Sequence, residues 1–286
     1  MSSELRVAFF GTPHLAVWVL EELKEVGLLP SVVVCPPDRP AGRKLVLTPP
    51  ATRVWAEENG VPVVQAGTLR DPARVPEIAN SEWDLFIVAA YNLIMPTWAI
   101  ELPRHGVLNV HPSLLPALRG PSPIRSALLR DERDSVGTSV MLLDKEIDHG
   151  PIVAQARVEL PEWPVPGNEL DELLFREGGR LLAEVIPPWV AGEITPEEQD
   201  HEKATYTQKL VKADGELDLD ADGYQNYCKY CAYQGWPGTF FFVERDGKQA
   251  RVKVTDAQYK DGTFEILRVT PEGKKEMEYG AFLNAA

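Results

Sequence analysis

Four short stretches constrain the architecture more than any other feature. Residues 5–10 (LRVAFF), 31–35 (SVVVC), 84–90 (DLFIVAA) and 106–110 (GVLNV) are apolar at nearly every position. A strand buried on one face alternates apolar and polar residues. A near-continuous apolar run is buried on both faces, as in parallel sheets covered by helices. Between the first two runs, Gly11-Thr12-Pro13 forms a turn with Pro13 placed to start a helix that reaches about Val26 and closes at Gly27. The chain therefore opens as a βαβ unit of an α/β fold. Its turn holds one glycine rather than G-x-G-x-x-G, and Cys35-Pro36-Pro37 stands where a dinucleotide site needs an acidic residue, which argues against a nicotinamide cofactor.

Further along, the pattern predicts a helix over 52–59 and strands over 61–64, 136–143 and 151–156. It also predicts a helix starting at Pro123 and an amphipathic helix over 168–189 that stops at Pro187-Pro188. Residues 192–203 are polar and acidic and read as a linker between a domain over 1–191 and a second over 204–286. In that second domain a helix over 224–233 precedes strands over 240–243, 250–254 and 264–269, separated by Asp-Gly and Glu-Gly turns. A small β-barrel closes such strands without exposed edges.

The 286 residues suffice for one large domain and a small one. The N-terminus lacks the basic and apolar regions of a secretory signal, and the longest apolar run, 85–100, is interrupted by Asn92 and Pro96 and too short to span a bilayer. No membrane is expected. Three cysteines make no disulfide framework and point to a reducing cytoplasm. A net charge of -14 argues against indiscriminate nucleic-acid binding. The acidity is uneven, however: residues 201–286 hold 12 Lys+Arg against 14 Asp+Glu, and residues 1–200 hold 17 against 29.

Chemistry concentrates after the fourth strand, in Asn109-Val110-His111-Pro112-Ser113-Leu114-Leu115-Pro116 and on through Arg119-Gly120-Pro121-Ser122-Pro123. Alternate side chains of an extended segment share a face, so Asn109, His111 and Ser113 can converge. The prolines then force a stiff, irregular loop at a strand end, where open α/β sheets carry their sites. Asp148 lies in the turn over 144–150. An imidazole exchanges protons near neutral pH, a carboxylate orients it, and an amide donates to a developing oxyanion, so Asn109, His111 and Asp148 form a candidate set for attack of an amine on a carbonyl. The bland alternative is a satisfied histidine and an aspartate capping a turn. A Ser113 hydrolase lacks the G-x-S-x-G elbow. No H-E-x-x-H is present and no metal is implied. Cys228 and Cys231 share a helix face, as buried cysteines do. Tyr91, Leu93 and Met95 leave the third strand and can be either core or the wall of a ligand pocket. The proline-bounded loop 36–50 carries Arg39, Arg43 and Lys44, either as solvated charges or as a lid over an anionic substrate.

The run N-x-H with S-L-L-P, Arg119-Gly120 and Pro123, followed by Asp148-His149-Gly150, resembles the folate-dependent formyltransferases. Phe10-Gly11-Thr12-Pro13, residues 37–43, Ala204-Thr205-Tyr206, residues 273–277 and Phe282-Leu283-Asn284 are similar to the members of that family acting on methionyl-tRNA. The resemblance implies a Rossmann-like catalytic domain with a mostly parallel sheet, followed by an oligonucleotide-binding (OB) type barrel. It implies Asn109, His111 and Asp148 as the catalytic three, and 10-formyltetrahydrofolate as donor, held by Ser113, Leu114, Leu115 and Pro116 with Tyr91, Leu93 and Met95. Arg39, Arg43 and Lys44 would meet initiator methionyl-tRNA, and a monomer is expected. Formylation of an amino-sugar nucleotide, hydrolysis of formyltetrahydrofolate, and a non-enzymatic tRNA- or folate-binding protein are the alternatives.

Overall fold

Each of the four apolar runs becomes a strand. The structure, a computed structural model, describes residues 5–42, 45–245 and 247–284. In chain order the elements are β1 (Val7–Gly11), α1 (His14–Glu25), β2 (Val32–Cys35), β3 (Arg39–Ala41), β4 (Val46–Thr48), α2 (Ala51–Glu58), β5 (Val63–Gln65), α3 (Pro76–Ala79), β6 (Leu85–Ala89), α4 (Thr97–Glu101) and β7 (Val107–His111). There follow α5 (Pro123–Arg130), β8 (Gly137–Leu142), β9 (Ile152–Arg157), α6 (Gly167–Val190), α7 (Gly223–Ala232), β10 (Thr239–Arg245), β11 (Lys248–Lys260), β12 (Thr263–Pro271), β13 (Met277–Glu278) and α8 (Tyr279–Asn284). Two compact units result. The first takes the chain up to Arg119, Val136–Glu159 and Asp171–Tyr206; the second takes Gly120–Ser135, Leu160–Leu170 and the chain from Thr207 onward.

The first unit is built on a seven-stranded sheet of order β5-β2-β1-β6-β7-β8-β9. The five strands from β5 to β7 are parallel; β8 pairs antiparallel with β7, and β9 antiparallel with β8. Strand order reverses between β1 and β6, which opens the crevice where Rossmann-like sheets place ligands. One sheet face packs Ala8, Phe10, Val34, Phe86, Val88 and Val107 with Ile78, Trp83, Met95 and Ala99. The rings of Phe10 and Phe86 lie 4.9 Å apart and tilted, a contact that adds about 0.5–1.5 kcal/mol beyond area burial.

Helix α6 packs on β7 through Gly178, where a Cβ would stand 2.4 Å from Val110 Cγ1. Near this contact Glu22 of α1, 6% exposed, accepts from Arg176 Nη1 and Arg180 Nε, each at 3.1 Å. An unpaired carboxylate at such depth would cost several kcal/mol, and the two guanidiniums offset it. Contrary to the sequence expectation, α6 does not stop at Pro187-Pro188. The prolines lack donors, but their carbonyls still accept from the amides of Ala191 at 3.1 Å and Glu193 at 2.9 Å.

Two further segments differ from expectation. Within 36–50, β3 and β4 pair as an antiparallel hairpin, with Arg39 exposed and an apolar stretch in the open at Leu45, Val46 and Leu47. Arg43 and Lys44 lie outside the described residues. Residues 192–203 belong to the first unit, where Glu197 exchanges two backbone hydrogen bonds with Ile152, and Gln199 is 5% exposed. Their polar composition conceals buried partners.

The second unit holds an antiparallel sheet of order β10-β11-β12-β13. The pairing of the long β11 with β12 shifts register at Asp256, the pattern of a β-bulge. Leu217, Phe241, Val252, Val254, Val269 and Phe282 form its core. Helices α5 and α7 pack against each other in the same unit. Among the described residues no helix is long and apolar enough to cross a membrane.

The cysteines are buried and free. Burial pushes the thiols of Cys35 and Cys228 up to about 11 and that of Cys231 up to about 12, from an ordinary 9.0. The folded chain thus keeps protons that the unfolded chain releases above pH 9, so these groups support the fold below pH 9 and lose that contribution as pH rises through about 11. We expect the melting temperature to decline progressively above pH 9, and no thiol to react with Ellman's reagent at pH 8 until denaturant is added. Stoichiometric reaction of the native chain would contradict this burial.

Candidate active site

Strand β7 ends the parallel part of the sheet, and its alternation sends Asn109 and His111 to the face that carries Val107, away from Val110 and α6. His111 is 4% exposed. Its Nε2 lies 3.1 Å from the carbonyl oxygen of Leu118, and because a carbonyl can only accept, that nitrogen carries a proton. Its Nδ1 faces Asp148 Oδ1 at 3.5 Å. A doubly protonated ring would therefore meet an acceptor at each nitrogen. The pair thus has a defined place to receive a proton and to compensate the resulting charge. Asn109, half-buried on the same face, offers an amide donor beside it.

Asp148 comes from the connection between β8 and β9 and has a left-handed backbone, φ 50°. Gln199 Nε2 donates to the carbonyls of Asp148 (3.0 Å) and Gly150 (2.7 Å). Gln199 Oε1 accepts in turn from Arg119 Nε (3.1 Å) and Nη2 (2.6 Å). Arg119, 1% exposed, also donates to His201 Nδ1 at 2.9 Å. His201 stacks on His149 at 4.0 Å, and His149 Nδ1 bonds Asp144 Oδ2 at 2.7 Å. Gln199 and His201 escaped the sequence reading because they sit in a stretch that looks like a linker. Arg119 was visible only as part of a motif.

The proline loop is stiffened from within. Ser113 is buried, its hydroxyl donating to the Ala117 carbonyl at 2.6 Å, while its own carbonyl accepts from Ser139 Oγ at 2.6 Å. Gln155 Nε2 bonds both the Leu115 carbonyl and Ser139 Oγ. Ser113 therefore shapes the loop with its hydroxyl. Leu115 is buried, whereas Leu114 and Pro116 are half-buried. Of the three expected wall residues, Met95 is buried in the apolar cluster of β1 and β6, Tyr91 packs against that cluster, edge-on to Phe10, and Leu93 is half-buried. The hydroxyls of Thr12, after β1, and Tyr91, after β6, are buried without a hydrogen-bond partner, and burial raises the Tyr91 phenol above its ordinary range. Among the described residues no group of three or more His, Cys, Asp or Glu side chains could hold a metal ion.

Residues 5–169 match the family pattern described as formyl transferase. The methionyl-tRNA formyltransferase of Chloroflexus aggregans is 43% identical over 300 residues, covering 98% of this chain and 96% of that one. The fold is shared with two solved structures. The methionyl-tRNA formyltransferase of Clostridium thermocellum has a TM-score of 0.59 at 17% identity, covering 96% of this chain and 99% of that one. An N-formyltransferase of Helicobacter canadensis, in complex with folinic acid and dTDP-3-aminofucose, has 0.64 at 14%, covering 96% and 98%. This chain belongs to the formyl transferase family. The relative it matches at 43% over nearly its whole length is one of the methionyl-tRNA enzymes.

Proposed function

We propose that the chain transfers the formyl group of 10-formyltetrahydrofolate to the α-amine of initiator methionyl-tRNA. The observation that carries the acceptor is the 43% match over both compact units to a methionyl-tRNA formyltransferase. A folate donor accords with the folinic acid held by the Helicobacter canadensis enzyme of the same fold and with two buried, unpartnered hydroxyls at the ends of β1 and β6.

In this reading the donor supplies a carbonyl whose oxygen gains negative charge as the amine attacks. The protein's own groups do the rest. An α-amine titrates at about 7.7–8.0, so much of it must lose a proton first. The couple of Asp148 and His111 takes that proton, and the charge on the ring is balanced by the carboxylate on one side and the Leu118 carbonyl on the other. Asn109 donates to the oxyanion. As the carbonyl re-forms, the bond from the formyl carbon to the donor's nitrogen breaks. The proton given up by the attacking amine passes through the His111–Asp148 couple to that nitrogen, which leaves as tetrahydrofolate. The proline loop over 112–116 and residues Tyr91, Leu93 and Met95 hold and wall the donor.

The tRNA-facing group comprises Arg39, Arg43 and Lys44. Arg39 stands exposed on the hairpin, and a guanidinium contacting phosphate adds salt-dependent affinity without base specificity. The test is to offer 10-formyltetrahydrofolate with either charged initiator tRNA or an amino-sugar nucleotide and follow which is formylated. Formyl transfer to the tRNA is expected, and transfer to the sugar alone would refute the reading. Arg39→Ala should raise KM for tRNA and lessen its salt dependence while folate binding is kept. Equal loss of both would remove Arg39 from the tRNA contact.

A further inference from the structure

We propose that Gln199 is a positioning residue for Asp148, the centre of a clamp that fixes both hydrogen-bond partners of His111. The inference rests on the reading of His111 and Asp148 as the proton-handling pair.

Two residues face the imidazole nitrogens, Asp148 through its carboxylate and Leu118 through its carbonyl, and both have left-handed backbones, with φ of 50° and 61°. Residues with a Cβ leave that region unless their surroundings hold them there. One short segment holds both. Gln199 uses its two amide hydrogens on the carbonyls at 148 and 150. Further along, Thr205 Oγ1 accepts from the Leu118 amide at 2.8 Å, and the Thr205 carbonyl accepts from the Arg119 amide at 2.8 Å.

The orientation of Gln199 is determined by chemistry. Its oxygen faces a guanidinium and its nitrogen faces two carbonyls, so the flipped amide would oppose oxygen to oxygen and N–H to N–H. Arg119 makes the anchor rigid. It is buried, donates to Gln199 and His201, and lies over the Tyr206 ring at 6.0 Å. The carboxylate that must meet His111 is thus held in place by a side chain 51 residues later in the chain.

Gln199→Glu isolates this role. The variant keeps an oxygen for Arg119 but turns a second oxygen onto the two carbonyls, releasing the turn. We expect kcat to fall by roughly tenfold to a hundredfold, the loss typical of a slightly misplaced group, with KM for tRNA and folate changed by less than about threefold. Made in the Asp148→Asn background, the same change should cost less than about twofold, since a residue acting only through Asp148 has nothing left to position. A kcat near that of the wild type, or an equal fractional loss in both backgrounds, would overturn the proposal. If Gln199→Glu does not fold, Gln199→Met is judged by the same two criteria.

Hydrogen exchange supplies a readout independent of turnover. Peptides spanning 144–151 should exchange faster in the variant, and unchanged exchange there would also overturn the proposal. If the wild-type chain formylates no tRNA, the functional reading fails by itself, and the exchange result alone decides the clamp.

Discussion

His111→Ala is expected to lower formyl transfer at saturating substrates by on the order of 100- to 1000-fold, with Asn109→Ala in the same range. The two losses differ in origin. Asn109→Ala removes a donor from the face on which the oxyanion would form. His111→Ala removes the group that joins Asp148 to the Leu118 carbonyl, so the carboxylate loses the ring it faces at 3.5 Å and the carbonyl its donor at 3.1 Å. Because His111 is nearly enclosed, the change also opens a small void, and a melting curve must accompany the kinetics. Near-normal kcat for either variant, with the fold intact, would end the assignment. Folate binding should survive both, since neither residue lies in the proline loop.

Gly150→Ala should be the most damaging single methyl in the first unit. A Cβ at this position would stand 2.0 Å from the Leu142 carbonyl oxygen and 3.1 Å from its carbon, so backbone rather than a flexible side chain has to move. Two features adjoin it. The Leu142 amide donates to the Pro151 carbonyl at 2.9 Å at the start of the β8–β9 pairing, and the Gly150 carbonyl is one of the two that Gln199 holds. Relief of the clash must loosen one or the other. Overpacking of this kind costs about 1–3 kcal/mol and occasionally more, and the turn that carries Asp148 moves with it. We expect a lower urea midpoint together with a kcat loss of at least about tenfold in the folded fraction. Wild-type values for both would mean that the turn is not seated tightly against Leu142.

The sheet was legible because strands buried on both faces leave an uninterrupted apolar record, as at residues 5–10 and 84–90. Alternation within β7 was enough to put Asn109 and His111 on one face, and turn residues were enough to set Asp148 between two strands. Legibility ended where a residue's partner is distant in sequence. Gln199 meets Arg119 across 80 positions, and no local pattern distinguishes it from a solvated linker glutamine. The β3–β4 hairpin was hidden by its prolines, which suit an isolated edge pair as well as a loop. Tyr91 and Met95 show the opposite limit: their composition fits a pocket wall or a core equally, and only the structure places Met95 within, and Tyr91 against, the cluster that holds Phe10.

The path of the chain through the two compact units has a consequence for inheritance. It passes from one to the other five times, at 119/120, 135/136, 159/160, 170/171 and 206/207. A recombination event with a single crossover near residue 206 would bring in β10–β13 and α7 but leave behind the native segments 120–135 and 160–170, including α5, against which α7 packs. Such a chimera would join surfaces that never evolved together. Lineages of this architecture should therefore diversify by substitution across the whole length rather than by swapping their C-terminal parts, and phylogenies drawn separately from residues 1–119 and 207–284 should agree.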